Sequence, residues 1–309
     1  MAKAELFISC EALRCALAGP AAPPIVIDCS WFMPGTNRSG LAEWRERRIP
    51  SAAFLDIDVF SDRGSSLPHM LPREQDFWSN IGRYGVSSWK DPVVLYDSSN
   101  FYVASARVRW MLSVFGFRDV RVLAGGLEEW RKNGFPLDLE RRSEDTTTIV
   151  APQSVEPSGV FRSEKVVDFD AMKEISQKAV QQGSPVGGHV ILDARSSERF
   201  RGTQSEPRPG LRSGHIPGSI SLPYTQLFPP GGGHFHNKEK LTDIFRSLGV
   251  SFEGKDAPAF ITTTCGSGVT AAVVSLAVEW CDPVRACALY DGSFSEWGRF
   301  DSGAPVLPQ

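Results

Sequence analysis

The chain has 309 residues and a formal net charge of -3, and 41% of its residues are hydrophobic and 22% are charged. This length and composition are those expected for two ordinary globular domains. That charge argues against a nucleic-acid-binding protein, and no apolar run approaches the roughly 20 residues of a membrane helix. The six cysteines are scattered and form no Cys-x-x-Cys pair, so we expect a reducing compartment, the cytoplasm or alternatively the mitochondrion. Most of the cysteines should be small buried hydrophobic residues.

The predicted elements alternate between short strands and helices. In the first half, strands are predicted at 25–28, 93–96 and 120–123, with a helix from Ser105 to Phe115. In the second half, strands are predicted at 190–193, 259–263 and 286–290, with helices from Lys238 to Leu248 and from Val269 to Trp280. Such alternation predicts an α/β fold, in which each half is a mainly parallel sheet flanked by helices on both faces.

The second half repeats the first. Four motifs recur in the same order. The distance along the chain between matching residues ranges from 164 residues, between Gly85 and Gly249, to 167 residues, between Trp130 and Trp297. The pairs are Ile25-Val26-Ile27-Asp28 with Val190-Ile191-Leu192-Asp193, Ile49-Pro50 with Ile216-Pro217, Gly85-Val86 with Gly249-Val250, and Glu129-Trp130 with Glu296-Trp297. A charged, Thr- and Pro-containing stretch without periodicity separates them. We therefore predict an N-terminal domain at 1–140, a linker at 141–163 and a C-terminal domain at 164–309.

One cysteine has surroundings that suggest chemistry. Cys265 follows a predicted strand and opens the loop Cys265-Gly266-Ser267-Gly268, before the helix that starts at Val269. Two glycines allow the loop N–H groups to converge on one atom, and the helix N-terminus stabilises negative charge there. The alternative is a structural cysteine before a tight turn. A phosphatase loop would need Arg where Ala271 stands, and the Lys-Ser/Thr pair of a phosphate-binding loop is absent.

The first half has no thiol at the matching place. Its strand 93–96 is followed by Asp97, where the second half has Cys265. We therefore expect the N-terminal domain to lack the covalent step and to have a supporting role. His234 and His236 lie in a Gly-rich stretch without further ligands at useful spacing, so we predict a solvated loop and no metal site. His189 and His215 have no evident partner, and His215 is expected to be structural.

These features together resemble the rhodanese superfamily, specifically the 3-mercaptopyruvate sulfurtransferases with two tandem rhodanese-like domains. The resemblance covers nearly the whole chain. Besides Cys265-Gly266-Ser267-Gly268-Val269-Thr270, it rests on Asp56-Ile57-Asp58, Pro68-His69-Met70-Leu71-Pro72, Arg199-Phe200-Arg201-Gly202-Thr203, Glu206-Pro207-Arg208, Gly214-His215-Ile216-Pro217-Gly218 and Tyr290-Asp291-Gly292-Ser293.

The resemblance implies a set of site residues. Arg199 and Arg208 would hold the carboxylate and ketone of 3-mercaptopyruvate. The substrate site would also be lined by Gly266, Gly268, Val269 and Thr270. Members that use thiosulfate usually carry Arg and Lys in the loop, where this chain has the uncharged Gly266 and Ser267. This difference favours a mercapto-acid as the donor.

The resemblance also implies a catalytic triad. Asp58 would orient His69, and His69 would polarise the hydroxyl of Ser267, so that residues from both halves build one site. Without the resemblance, His69 would be taken for an ordinary loop histidine.

The expected activity is sulfur transfer from 3-mercaptopyruvate through a Cys265 persulfide to a thiol or cyanide, with release of pyruvate. Family analogy suggests thioredoxin or small thiols as acceptors, and no organic cofactor, metal, nucleic acid or membrane partner is implied. Three alternatives stay open: thiosulfate as the donor, a sulfur-relay protein for tRNA or cofactor thiolation, and a non-catalytic binding protein on the same scaffold.

Overall fold

The computed structural model describes residues 5–33, 35–143, 153–183, 188–254 and 257–308. The chain divides into two compact units. The first comprises residues 1–64, 71–162 and 231–234, and the second comprises residues 65–70, 163–230 and 235–309. The predicted domains were continuous ranges of the sequence. They therefore could not include the short segments 65–70 and 231–234 in the units to which these segments belong.

The first unit is built on a five-stranded parallel sheet, in the order β1-β5-β4-β2-β3. Its strands are β1 (Phe7–Ile8), β2 (Ile25–Asp28), β3 (Ala53–Phe54), β4 (Val93–Tyr96) and β5 (Val120–Leu123). Its helices are α1 (Cys10–Ala18), α2 (Gly40–Glu46), α3 (Ile57–Phe60), α4 (Glu74–Ile81), α5 (Val103–Val114) and α6 (Gly126–Lys132). β4 and most of α5 are buried, which explains why both read as apolar runs rather than as alternating patterns.

The second unit repeats this plan, with the parallel order β6-β10-β9-β7-β8. Its strands are β6 (Val166–Val167), β7 (His189–Asp193), β8 (Ser219–Ser221), β9 (Phe260–Thr264) and β10 (Cys287–Tyr290). Its helices are α7 (Phe169–Gln182), α8 (Ser197–Arg201), α9 (Lys238–Ser247), α10 (Val269–Cys281) and α11 (Ser293–Trp297). Because corresponding strands hold corresponding places in the two sheets, the duplication predicted from four short motifs is confirmed.

The predicted fold class is confirmed, and the six predicted strands and three predicted helices are present within two residues at each end. The strands that the sequence did not reveal are β1, β3, β6 and β8, each two or three residues long. Runs this short carry too little periodicity to be recognised. They are strands because a parallel neighbour completes their hydrogen bonds.

Part of the predicted linker is bound to the first unit. Residues 144–152 lie outside the described part of the chain. Of the remainder, the Gln153 N–H donates to the Gly82 carbonyl over 2.9 Å, and the Arg162 N–H donates to the Val114 carbonyl over 2.8 Å. Gly82 allows the close approach, because a Cβ there would lie 2.1 Å from the Gln153 carbonyl oxygen.

The buried carboxyl group at the end of one central strand has different partners in the two sheets. Asp28 and Asp193 end corresponding strands, but the residue two positions on is Ser30 in the first unit and Arg195 in the second. Asp28 accepts from the Ser30 N–H over 2.8 Å, and burial raises its pKa from 3.8 to about 7. A carboxyl group whose pKa is higher in the folded state than in the unfolded state opposes folding as it ionises.

We expect Asp28→Asn to change the pH dependence of stability. Between pH 4 and 7 the unfolded chain releases the Asp28 proton before the folded chain does, so wild-type stability falls by up to about 1.4 kcal/mol per pH unit through this group. The difference in unfolding free energy between variant and wild type should therefore grow over that window and level off above pH 7. Denaturant unfolding at several pH values measures it. Asp243→Asn, at an exposed carboxylate of α9, is the control, and an equal slope for both variants would contradict the assignment.

Candidate active site

Cys265 lies at the carboxyl end of a central strand, where ligands bind in open parallel sheets. It follows β9, whose last residue Thr264 pairs with Asp193 at the end of β7. The Cys265 side chain is 2% exposed. Four residues on, α10 begins at Val269, and Gly268 precedes it with a φ of 78°. The left-handed conformation that turns the chain into α10 is one that glycine adopts readily, which explains a glycine at this position.

The carbonyl groups of the loop are held by α11. The Cys265 carbonyl accepts the Phe294 N–H over 3.0 Å, and the Gly266 carbonyl accepts the Ser295 N–H over 2.8 Å and the Ser295 hydroxyl over 2.6 Å. These bonds fix the orientation of the first two peptide groups of the loop. The first N–H groups of α10, at Val269 and Thr270, have no partner within the helix itself. The loop can therefore present N–H donors and a positive helix end to an anion at the cysteine.

His69 lies next to the loop. It belongs to the segment 65–70 of the second unit, is 5% exposed, and its Nδ1 lies 3.0 Å from the Ser267 hydroxyl oxygen. Its φ of 61° is in the left-handed region, which is costly for a residue with a side chain. An ordinary loop histidine would be neither buried nor held in this conformation. The geometry thus brings together two members of the predicted triad.

Asp58, the third predicted member, lies in α3 of the first unit. Its carboxylate accepts the indole N–H of Trp31 over 2.8 Å. Its orienting role toward His69 stays a prediction.

Both predicted substrate arginines approach the loop at Gly266. A Cβ on that residue would lie 2.8 Å from Nη2 of Arg199 and 3.8 Å from Nη1 of Arg208. A larger residue there would have to displace the Arg199 guanidinium, so glycine leaves room for both arginines beside the loop. The Arg199 side chain is 18% exposed, and its Nε and Nη2 donate hydrogen bonds to Glu206. Among the described residues, Nη1 has no hydrogen-bond partner and is available to a ligand.

Behind Arg199 lies a charged network that was not predicted from the sequence. Glu206 binds Nε of Arg199 over 3.1 Å and Nη2 over 2.5 Å, and it also binds Nη1 of Arg195 over 2.8 Å. Arg195 in turn pairs with Asp193 over 2.6 Å. The Asp193 and Arg195 side chains are fully buried, and that of Glu206 is 2% exposed.

This network alternates in charge, so each buried group has an opposite partner. The Arg195 guanidinium also lies 3.8 Å above the ring centre of Phe294, on the helix that holds the loop carbonyls. One signal was in the sequence: Asp193 ends a strand, Arg195 follows it closely, and Glu206 stands in a motif already singled out. Its role could not be read without the contacts.

In the first unit, the corresponding loop carries its own anion. The Asp97 carboxylate accepts the Ser99 N–H over 3.0 Å and the Ser105 N–H over 2.9 Å, and it is 2% exposed. It also accepts the Ala104 N–H over 3.2 Å. The donors that could meet a bound anion are thus occupied by a side chain of the loop itself. This agrees with the expectation that the first domain does not perform the covalent step.

The expectation of a solvated loop was wrong for His234, which is partly buried: its Nδ1 lies 2.6 Å from the Tyr102 hydroxyl, its ring contacts Phe7 edge-on, and burial lowers its pKa. The expectation that most cysteines are buried holds for half of them: Cys10, Cys29 and Cys265 are buried, Cys281 and Cys287 are partly buried, and Cys15 is exposed. His215 has the expected structural surroundings, since its Nδ1 lies 3.0 Å from the Phe200 carbonyl and its ring stacks on Phe200 at 4.0 Å.

In the described part of the chain, His, Cys, Asp and Glu side chains do not form a group of three or more that could hold a metal ion. Its helices include none with the length and apolarity needed to cross a membrane.

Comparison with known proteins decides the family. The model of the rhodanese-like domain matches twice, at residues 22–133 and 173–299. The chain belongs to the rhodanese family. Its two units are therefore tandem rhodanese domains, and Cys265 lies in the second of them.

Several relatives resemble this tandem rhodanese chain over most of their length. Human 3-mercaptopyruvate sulfurtransferase is 35% identical over 288 residues, covering 93% of this chain and 88% of that protein. Arabidopsis thaliana thiosulfate/3-mercaptopyruvate sulfurtransferase 1, a mitochondrial protein, is 36% identical over 296 residues, covering 92% and 73%. The crystal structure of Escherichia coli SseA, a 3-mercaptopyruvate sulfotransferase with the rhodanese fold, superposes with a TM-score of 0.76 at 32% identity, covering 94% and 99%.

Proposed function

We propose that this protein is a sulfurtransferase that moves the sulfur of 3-mercaptopyruvate through a Cys265 persulfide to a thiol or cyanide and releases pyruvate. The observation that carries the proposal is the convergence at the Cys265 loop of an imidazole–hydroxyl contact and two guanidinium groups. The activity is the one for which the human relative is named. This activity needs a nucleophile, positively charged groups that bind a carboxylate, and a proton source near the carbon that loses the sulfur.

The proposed first step balances without a further reactant. The Cys265 thiolate attacks the sulfur of the substrate thiol, a sulfur–sulfur bond forms, and the carbon–sulfur bond breaks. Its electron pair passes to carbon as the enolate of pyruvate. The enolate takes up a proton, for which Ser267 and His69 are the proposed source, and Cys265 is left as a persulfide.

Asp58 and the loop residues have supporting roles in this proposal. Asp58 would orient His69, as a carboxylate orients imidazole in other triads. The N–H groups of Gly266, Gly268, Val269 and Thr270 would stabilise negative charge on the attacking and the transferred sulfur.

In this proposal, Arg199 and Arg208 bind the carboxylate and the ketone of the donor. We expect Arg208→Ala, and likewise Arg199→Ala, to raise the KM for mercaptopyruvate about tenfold or more, because a charge-assisted contact made with the substrate is lost. Initial rates against donor concentration measure this. Arg246→Gln, at an exposed arginine of α9, is the control. If both site variants keep the wild-type KM, the assignment is wrong.

The proposal extends to the physiological sulfur acceptor and to the cellular compartment of the protein. Thioredoxin or small thiols would accept the sulfur, and the cytoplasm or the mitochondrion would be the compartment. The Arabidopsis relative is named for a mitochondrial protein. A role as a sulfur-relay protein would use the same cysteine and differ only in the acceptor.

The decisive experiment is single-turnover mass spectrometry. The wild-type protein is incubated with 3-mercaptopyruvate without an acceptor, and the Cys265 peptide is examined for one added sulfur atom. Thiosulfate is the matched second donor, because the Arabidopsis relative is named for both. We expect the adduct with mercaptopyruvate and a higher kcat/KM than with thiosulfate. No adduct with mercaptopyruvate would sink the proposal, and the reverse preference would favour the thiosulfate alternative.

A further inference from the structure

A cavity in the second unit lies beside the cysteine loop. Its volume is about 420 Å³, and it is lined by residues 66–68, 208–211 and 299–301 together with Ser295. Cavities of a few hundred Å³ are typical of sites for small molecules. The walls combine leucine, proline and phenylalanine side chains with two arginines, Arg208 and Arg299.

The inner end of this cavity is formed by residues that adjoin the cysteine loop, and its outer end lies at the surface. Ser295 binds the Gly266 carbonyl, and Nη1 of Arg208 lies 3.8 Å from the place of a Gly266 Cβ. At the other end, the Phe300 side chain is 75% exposed. A bound molecule could therefore direct one end toward Cys265 and leave the other end among residues 299–301.

The outer end carries Arg299, whose guanidinium group can exchange its present carboxylate partner for the carboxylate of a ligand. Nε and Nη2 of Arg299 bind the two carboxylate oxygens of Asp301 over 2.9 and 3.0 Å, and both side chains are exposed. Exposed ion pairs of this kind contribute little to stability, so a second carboxylate can displace Asp301 without a large loss. The lining of the cavity contains two arginines, Arg208 and Arg299, and one aspartate. An anionic ligand is favoured over a neutral or cationic one.

We propose that this cavity holds the sulfur acceptor, a low-molecular-weight thiol that carries a carboxylate, and that Arg299 binds this carboxylate. The inference rests on the proposed function, because it requires the Cys265 persulfide. Donor and acceptor bind in turn in a two-step transfer, so pyruvate has left the arginines at Gly266 before the acceptor arrives. Arg299 then discriminates among acceptors without contacting the donor.

The transfer step is balanced. The acceptor thiolate attacks the outer sulfur of the persulfide, forming a new sulfur–sulfur bond. The bond between the two sulfurs on Cys265 breaks, and Cys265 leaves as a thiolate. The acceptor becomes a persulfide, and no external oxidant or reductant takes part.

A matched pair of acceptors tests the role of the carboxylate. N-acetylcysteine and N-acetylcysteamine differ by the carboxylate alone, and both are used with saturating mercaptopyruvate. We expect Arg299→Gln to raise the KM for N-acetylcysteine at least about fivefold, as for the loss of one charge-assisted bond, and to leave the KM for N-acetylcysteamine unchanged. Asp301→Asn frees Arg299 and should lower the KM for N-acetylcysteine about twofold. Arg246→Gln is the control for loss of one exposed arginine.

Each outcome decides the matter. Equal effects of Arg299→Gln on the two thiols, no effect on either, or an Asp301→Asn variant that binds N-acetylcysteine more weakly would overturn the inference. So would a Phe300→Ser variant that loses activity with reduced thioredoxin alone, which would make this surface a protein-docking site. The amount of persulfide formed from mercaptopyruvate, measured before acceptor is added, separates the two claims. If it is absent in the wild type, the proposed function fails; if it is normal while Arg299→Gln has no effect, only the acceptor site fails.

Discussion

Replacing Cys265 with serine is expected to abolish turnover, by at least about 10³-fold in kcat, because a hydroxyl cannot become the persulfide on which both half-reactions depend. The substitution is nearly isosteric, and the backbone contacts of Cys265 to Ser293 and Phe294 do not involve its sulfur. The variant should therefore fold normally. Steady-state rates with mercaptopyruvate and an acceptor measure the loss.

The other cysteines provide the control for this experiment. Cys15 is exposed on α1 in the first unit, and Cys15→Ser should keep wild-type rates. In the mass spectrum, the sulfur adduct should be absent from Cys265→Ser and present in Cys15→Ser. Turnover that survives in Cys265→Ser would place the chemistry elsewhere in the chain.

Glu206→Gln is expected to raise the KM for mercaptopyruvate about tenfold, through Arg199. Two effects compete. Removing a negative charge makes the site more positive and should strengthen donor binding, whereas losing the two-point contact frees the Arg199 guanidinium to leave its position at Gly266. We expect positioning to dominate, because a bidentate pair fixes a plane and a single amide contact does not.

The matched variant is Asp193→Asn. It removes the other buried partner of Arg195 and leaves the contact between Glu206 and Arg199 in place. Breaking a buried pair typically costs about 3–5 kcal/mol, so both variants should unfold at lower denaturant concentration. Only Glu206→Gln should also change the KM. A KM that falls in Glu206→Gln would show that its charge, and not its positioning of Arg199, governs donor binding.

Several features of the site could be predicted because they depend on local chain properties. Cys265 was recognisable from a buried strand, two glycines and a buried helix that follow one another along the chain. The absence of a thiol at the matching strand end of the first domain was readable from Asp97 in the repeat. The structure added that the Asp97 carboxylate binds the N–H groups of its own loop.

Other features depend on contacts between distant segments and could not be predicted from the chain alone. His69 lies 198 positions from Ser267, so neither its contact with that hydroxyl nor its burial could be read from the residues around it. His234 was misread for the same reason, since Tyr102 lies 132 positions away. Glu206 stood in a recognised motif, but only its contacts with Arg199 and Arg195 identify it as a positioning residue.

Strand pattern, glycine placement and side-chain charge are local properties of the chain. The duplicated α/β fold, the position of Cys265 at a strand end and the uncharged loop could therefore be predicted from the sequence. Three features became visible only in the folded chain: which charged groups neutralise one another, which nitrogen of Arg199 is left for a ligand, and where a cavity opens beside Arg208. Those features arise from the distances between segments, which a linear pattern of residues does not contain.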